Sequence, residues 1–126
     1  MGKKLEDSRY INLATYRRSG VAVETPVWFS EDGGRLYVLS AGNAGKVKRL
    51  RNSSRARIAA CDMRGGLEGD WQNAEAVLVE DPAEIERAHS AIRRKYGWQM
   101  AIGDIFSKIT GKMQRRAYIR IDLKQG

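Results

Sequence analysis

The sequence predicts an α+β domain built on a six-stranded antiparallel β-barrel with short helices. Three observations lead there. Six short runs carry β-branched, aromatic or alternating apolar residues. Glycine-rich turns separate several of them. One strongly capped helix arrives only after the fifth run, so strands and helices are segregated and do not alternate as in a parallel sheet.

The first strand is expected over Tyr10 to Arg17, where Ile11 and Leu13 alternate with Tyr10 and Asn12, and Ser19-Gly20 then supplies a turn. Ala22 to Phe29 is the second, rich in residues that fit a pleated surface. Pro26 within it has no N–H to give a ladder, so it marks an edge, a bulge or a rim where a ligand approaches. Asp32-Gly33-Gly34 is a hairpin turn into a third strand, Arg35 to Ser40, completing a meander. After the loop Ala41-Gly42-Asn43-Ala44-Gly45 comes a short helix over Lys46 to Arg51, with Asn43 as its candidate cap and Val47 and Leu50 on one face. Arg57 to Asp62 is the fourth strand. Trp71 to Glu80 is the fifth, with apolar residues on both faces.

Asp81, Pro82 and Glu84 then spell a helix start: an acidic N-cap, proline at the first position and a glutamate placed to complete a capping box. Ile85, Ala88, His89, Ile92 and Tyr96 form its apolar stripe, Arg93, Arg94 and Lys95 complement the dipole of its last turn, and Gly97 ends it. Trp98 to Thr110 is patchily apolar and reads as a further helix. Ala117, Ile119, Ile121 and Leu123 alternate with polar residues in a last, half-buried strand.

The 126 residues suit one domain, 1–126, with residues 1–7 as a loose tail. The single cysteine, Cys61, allows no intrachain disulfide and fits a reducing, cytoplasmic setting. The N-terminal lysines are not followed by the apolar stretch of a signal peptide, and no apolar run approaches the roughly 20 residues of a membrane span. A formal charge of +8 favours anionic partners: nucleic acid, anionic lipid or a phosphorylated small molecule.

Six of the cations, Lys46, Lys48, Arg49, Arg51, Arg55 and Arg57, fall together with no acid among them. They follow a strand ending in Ser40 and a glycine-rich loop, at a helix start. Free backbone N–H groups, the helix dipole, a hydroxyl and several cations make an anion site there. The alternative reading of the same run is a solvated basic helix face. It is not a P-loop, because Gly45-Lys46 is followed by Val47 where that motif needs serine or threonine. One cysteine and one histidine build no zinc site. Cys61 reads as a buried structural thiol and His89 as a packed core histidine. Trp28, Trp71 and Trp98 read first as core or interface residues.

Taken in order, Thr25-Pro26-Val27-Trp28-Phe29, Leu36-Tyr37-Val38-Leu39-Ser40, Lys46-Val47-Lys48-Arg49-Leu50-Arg51 and Arg57-Ile58-Ala59-Ala60-Cys61-Asp62 resemble the split β-barrel superfamily. That superfamily holds the pyridoxamine 5'-phosphate oxidase-like proteins and the flavin/deazaflavin oxidoreductases. The likeness spans about residues 8–123 and is strongest to short proteins described as coenzyme F420-dependent enzymes.

The resemblance implies an FMN-binding split barrel that works as a homodimer, with FMN or F420 in a groove between subunits. Carried over by position, Thr25, Pro26, Val27 and Trp28 would face the ring. Ser40, Lys46 and Lys48 would hold the phosphate, with Arg49 and Arg51 as helpers, and Trp71 would close the pocket. Pro26 and Trp28 stand where FMN oxidases place more polar residues, which favours the deazaflavin. The implied activity is an F420-dependent oxidoreductase passing hydride to an electron-poor small organic substrate. Three alternatives stand beside it: an FMN-binding oxidase or flavin carrier, a basic nucleic-acid-binding domain, and a dimeric structural protein. Against nucleic acid, the aromatics lie inside alternating strands and no reader motif is present.

Overall fold

A computed structural model describes residues 8–41, 45–97 and 116–124. The expected tail at 1–7, the cap residue Asn43, Trp98 and the helix expected over Trp98 to Thr110 lie outside these residues. Six strands, β1 (Tyr10–Tyr16), β2 (Ala22–Asp32), β3 (Arg35–Ala41), β4 (Arg55–Cys61), β5 (Gln72–Leu78) and β6 (Arg116–Leu123), close in the order β1-β2-β3-β6-β5-β4. Every neighbouring pair is antiparallel. Two helices are described, α1 (Gly45–Asn52) between β3 and β4, and α2 (Pro82–Tyr96) between β5 and β6. No helix among the described residues is long and apolar enough to cross a membrane.

Alternation builds the barrel. Ile11 and Leu13, Val27 and Phe29, Leu36 and Val38, Ala56 and Ile58, Ala74 and Ala76, and Ile119 and Ile121 turn inward and are nearly or wholly buried. Small alanines on β4 and β5 let the narrow barrel close around the larger aliphatics. Leu50 of α1 joins this core and Val47 is buried beside it, so α1 packs on the barrel through the two residues one turn apart. Gly33 and Gly34 both take positive φ, at 62° and 81°, and turn β2 into β3 as a two-residue hairpin loop.

A second apolar cluster lies outside the barrel wall. Ala88, Ile92 and Tyr96 of α2 pack there on Tyr37 and Tyr118, with Trp28, Leu39 and Ile85 against them. The outer faces of β3 and β6 are therefore covered there: Tyr37 and Tyr118 are both buried. On β5 the outer residues Glu75 and Asn73 are exposed, so the doubly buried strand expected there is buried mainly on its inner face.

The α2 start is capped as expected in one half only. Asp81 accepts from the Glu84 backbone N–H at 3.3 Å, and Pro82 follows it. Glu84 does not reach back to close the box. Its carboxylate is buried and accepts from Tyr37 Oη at 2.8 Å and from Arg120 Nη1 at 3.1 Å. A charged pair on the barrel wall outbids one backbone N–H at an exposed helix end.

Candidate cofactor-binding site

Among the described residues the barrel wall parts between β2 and β3. β2 pairs with β1 from Ala22 to Trp28, but with β3 only from Phe29 to Asp32. The first part of β2 and the end of β3, from Leu39 onward, therefore separate towards the end of the barrel where α1 packs. Side-chain and backbone directions along β2 follow from one anchor. The Tyr96 hydroxyl accepts from Phe29 N at 2.9 Å and also lies 2.6 Å from Arg9 O and 2.8 Å from Phe29 O, standing in line with the β1–β2 ladder. Phe29 thus turns its backbone groups to the β1 side. By antiparallel alternation Val27 and Thr25 do the same, while Trp28, Pro26 and Glu24 turn theirs to the opening. Pro26 sits where no described strand asks for its missing N–H, which is the local edge its sequence position predicts.

This places the predicted residues unequally. The four ring-facing candidates cannot share one face. Val27 is 7% exposed, its side chain belongs to the barrel core, and its backbone groups turn to β1, so it offers the opening neither. Thr25 is half-buried on the inner side. Pro26 packs outward, its Cδ 3.9 Å from where a Cβ would stand on Gly65. Trp28 also turns outward and stacks on Tyr96, with ring centroids 4.5 Å apart and planes 8° from parallel. Ser40 is buried on β3, on the other bank of the opening. Trp71 stands apart: the Arg57 guanidinium lies 5.2 Å from its ring centre, on the β4–β5 side, with β1 between it and β2.

On α1 the cations divide between two flanks. At about 100° per residue, Lys46 and Arg49 fall on one side of the buried Val47–Leu50 face, and Lys48 and Arg51 on the other. Lys48 and Arg51 are exposed, whereas Lys46 and Arg49 are half-buried. The helix begins at Gly45, so Lys46 lies inside its first turn. Arg49 Nε donates to Thr15 Oγ1 at 2.6 Å, and its Nη1 lies 2.8 Å from the position of a Cβ on Gly45. Thr15 is wholly buried and is the register partner of Val23, so Arg49 stands at the foot of the β2 edge.

Burial, then the Arg49 charge, lowers the pKa of Lys46. Burial, then Arg17, lowers that of Arg49. Among the described residues none of Arg17, Lys46 and Arg49 pairs with a carboxylate. Two partly desolvated cations that repel each other, with the exposed Arg17 adding its charge beside Arg49, gain from an anion placed among them. Thr15 and Arg17 were not singled out by sequence, since nothing local in β1 marks them as partners of a helix 34 residues away.

Two open clefts lie elsewhere. One of about 430 Å³ runs between the β2–β3 hairpin and α2, and one of about 590 Å³ borders the start of α2. Neither includes Lys46 or Arg49, and the cation cluster is the better candidate on chemistry. No group of three or more metal-ligating side chains gathers among the described residues. Cys61 is buried, and burial, then Asp62 and Glu68, raises its thiol pKa to about 11. His89 is half-buried, with Nδ1 2.7 Å from Tyr118 Oη.

A closed six-stranded barrel whose wall parts beside a basic helix defines a split-barrel protein. The chain belongs to the pyridoxamine 5'-phosphate oxidase family, which it matches over residues 2–126. No curated protein matches the sequence. Among solved structures, it is similar to a conserved hypothetical protein from Mycobacterium tuberculosis, with a TM-score of 0.71 and 21% identity over 96% of this chain and 76% of that one. HutZ, the heme storage protein from Vibrio cholerae, superposes with a TM-score of 0.69 and 18% identity over 95% and 84% of the two chains. An FAD-binding protein from Mesorhizobium loti gives 0.61 and 16% over 96% and 83%. At these identities the likenesses establish the shared fold.

Proposed function

We propose that the chain is an oxidoreductase that holds a phosphate-bearing, flavin-type cofactor along the opening between β2 and β3, and that this cofactor is the deazaflavin F420. The observation that carries the reading is the carboxylate-free trio Arg17, Lys46 and Arg49 at the foot of the β2 edge. From there to Trp28 is five residues, roughly 17 Å at about 3.4 Å each. That length suits an extended ligand with phosphate at one end and ring at the other. Family membership and the FAD-binding relative support the cofactor class.

The deazaflavin is favoured by Pro26. A flavin presents a ring nitrogen at its reacting position, an acceptor that rewards a backbone donor. A deazaflavin presents C–H there. Pro26 removes one N–H from this edge, and Trp28 adds apolar surface.

When bound, the cofactor supplies hydride to an electron-poor small organic substrate. The chain's own part is positional. Lys46 and Arg49 fix the phosphate, Thr15 holds the guanidinium in place, and the β2 edge orients the ring. No side chain is assigned as proton donor, and solvent completes the reduction.

The proposal extends to a homodimer. Among the described residues the opening has no far wall in one subunit, Trp71 stands two strands away from it, and Val21, Met63 and Leu67 are more than half exposed. An isologous pairing would cover such surface. Light scattering at micromolar concentration should find the dimer, and a monomer alone would oppose this part. For the cofactor, the test is titration with F420 and FMN separately, followed by tryptophan fluorescence. Tighter binding of F420 is expected. FMN that co-purifies stoichiometrically and resists displacement would overturn the deazaflavin choice.

A further inference from the structure

At the other end of the barrel from α1, the last turns of α2 cross the β2–β3 hairpin and leave the cleft of about 430 Å³. Phe29, Leu36 and Leu123 give it apolar walls, and Glu31, Arg94 and Lys95 bring charge. Lys95 is held in an unusual way. Its Nζ donates to Ser8 O at 2.9 Å and lies 3.5 Å from the centre of the Phe29 ring. Among the described residues it forms no ion pair with a carboxylate. The charged and titratable groups around it are Arg9 ahead of β1, Glu31 on β2, and Arg94 and Tyr96 on α2. Arg94 is 70% exposed and only loosely paired, at 3.8 Å from Asp32.

We propose that Lys95 is a carbonyl-capture site, condensing reversibly with a small aldehyde or keto acid whose anionic group Arg94 receives. The neutral Nζ lone pair adds to the carbonyl carbon, and the carbonyl oxygen takes up a proton from the amine. The resulting carbinolamine loses water to give an imine. No electrons are exchanged and water is the only product released. Burial, then Arg9, brings the Lys95 pKa down to about 8. About a quarter of such an amine is neutral at pH 7.5, against about one in a thousand for an ordinary lysine. One N–H suffices for the Ser8 carbonyl, so the amine that lines the cleft can keep its tether and still use its lone pair. This site is separate from the proposed cofactor opening and stands independently of it.

The test uses the intact protein with glyoxylate and cyanoborohydride, which fixes the imine as a carboxymethyl mark, followed by peptide mapping. Lys95 should be marked about 10-fold faster at pH 7.5 than the exposed Lys48 and Lys124. Its rate should level off above pH 8. Arg94→Ala should slow marking by glyoxylate and leave marking by propanal unchanged. Unfolding in urea should erase the preference for Lys95. Marking of Lys95 no faster than of Lys48 and Lys124 in the folded protein would overturn the proposal. Equal slowing with propanal would remove the role of Arg94.

Discussion

Arg49 and Thr15 are joined by a 2.6 Å hydrogen bond from Nε to Oγ1, and that bond fixes which face of α1 can meet an anion. It turns the guanidinium back over Gly45 and towards Lys46, and away from Lys48. Arg49→Ala and Lys46→Ala should each weaken binding of F420 by about 10-fold to 100-fold, the worth of one charge-assisted hydrogen bond at roughly 1.5–3 kcal/mol. Lys48→Ala and Arg51→Ala, on the exposed flank, should change it by less than about threefold. Gly45→Ala should behave as a mild Arg49 variant, because its methyl would displace the guanidinium without straining the backbone. Fluorescence titration of the five variants checks the ordering, with circular dichroism as the control on folding.

The Glu84 carboxylate ties α2 to the barrel wall, and its charge should appear in the pH dependence of stability. Burial pushes its pKa up, but hydrogen bonds from Tyr37 and Arg120 and the charges of Arg120 and Arg35 outweigh that and leave it lowered. A carboxylate whose pKa falls on folding stabilises above the unfolded value, about 4.3, and loses that contribution as pH drops through the folded value. Glu84→Gln should cost roughly 3 kcal/mol at pH 7, the low end for breaking a buried pair, since Asp122 still faces Arg120. Urea unfolding at pH 7 and at pH 3.5 should show the gap between variant and wild type narrowing in acid.

Tyr96 joins two jobs, stacking on Trp28 and bridging Phe29 to Arg9 just ahead of β1. Burial is the main cause that lifts its hydroxyl pKa to about 12, so it stays a neutral donor at any working pH. Tyr96→Phe keeps the stack and leaves a buried Phe29 N–H without its acceptor. The cost should be about 1–3 kcal/mol. An unchanged urea m-value would show that the loss is local. Tyr96→Ala should in addition shift Trp28 emission to the red.

Much of the fold was legible before the structure. Asp81 and Pro82 announce α2, the Val47–Leu50 spacing announces the face α1 buries, and inward alternation marks the barrel core. What escaped depends on contacts distant in sequence. The three-residue step that makes Glu84 a box-closing candidate also aims it at Tyr37, and only the packing of α2 on β3 decides between them. The opening between β2 and β3 is a lapse of register, and register leaves no mark in either strand alone. The run Thr25 to Trp28 reads as one block by resemblance, yet a pleated strand must send Val27 into the core and Pro26 and Trp28 outward. On α1 the basic residues are equivalent by composition; the helix turn sorts them into a half-buried pair and an exposed pair.

Cys61 offers an independent check on the barrel wall. Its thiol is 1% exposed and its pKa is raised to about 11, so it should be inert towards a thiol reagent at pH 8 in the folded protein. One thiol per chain should react after unfolding in guanidinium. Fast reaction in the native state would mean that the end of β4 is open to solvent.

Lys46 and Arg49 are the residues proposed to read the phosphate. The decisive measurement of that role is calorimetric titration of wild-type protein and the Lys46→Ala, Arg49→Ala double variant with F420 and with the same deazaflavin lacking its phosphate-bearing tail. Wild type should prefer F420 by at least about 100-fold, or roughly 2.7 kcal/mol, and the double variant should lose most of that preference while binding the phosphate-free ring as wild type does. Equal preference for F420 in the two proteins would contradict that role and return these cations to the solvated face of a basic helix.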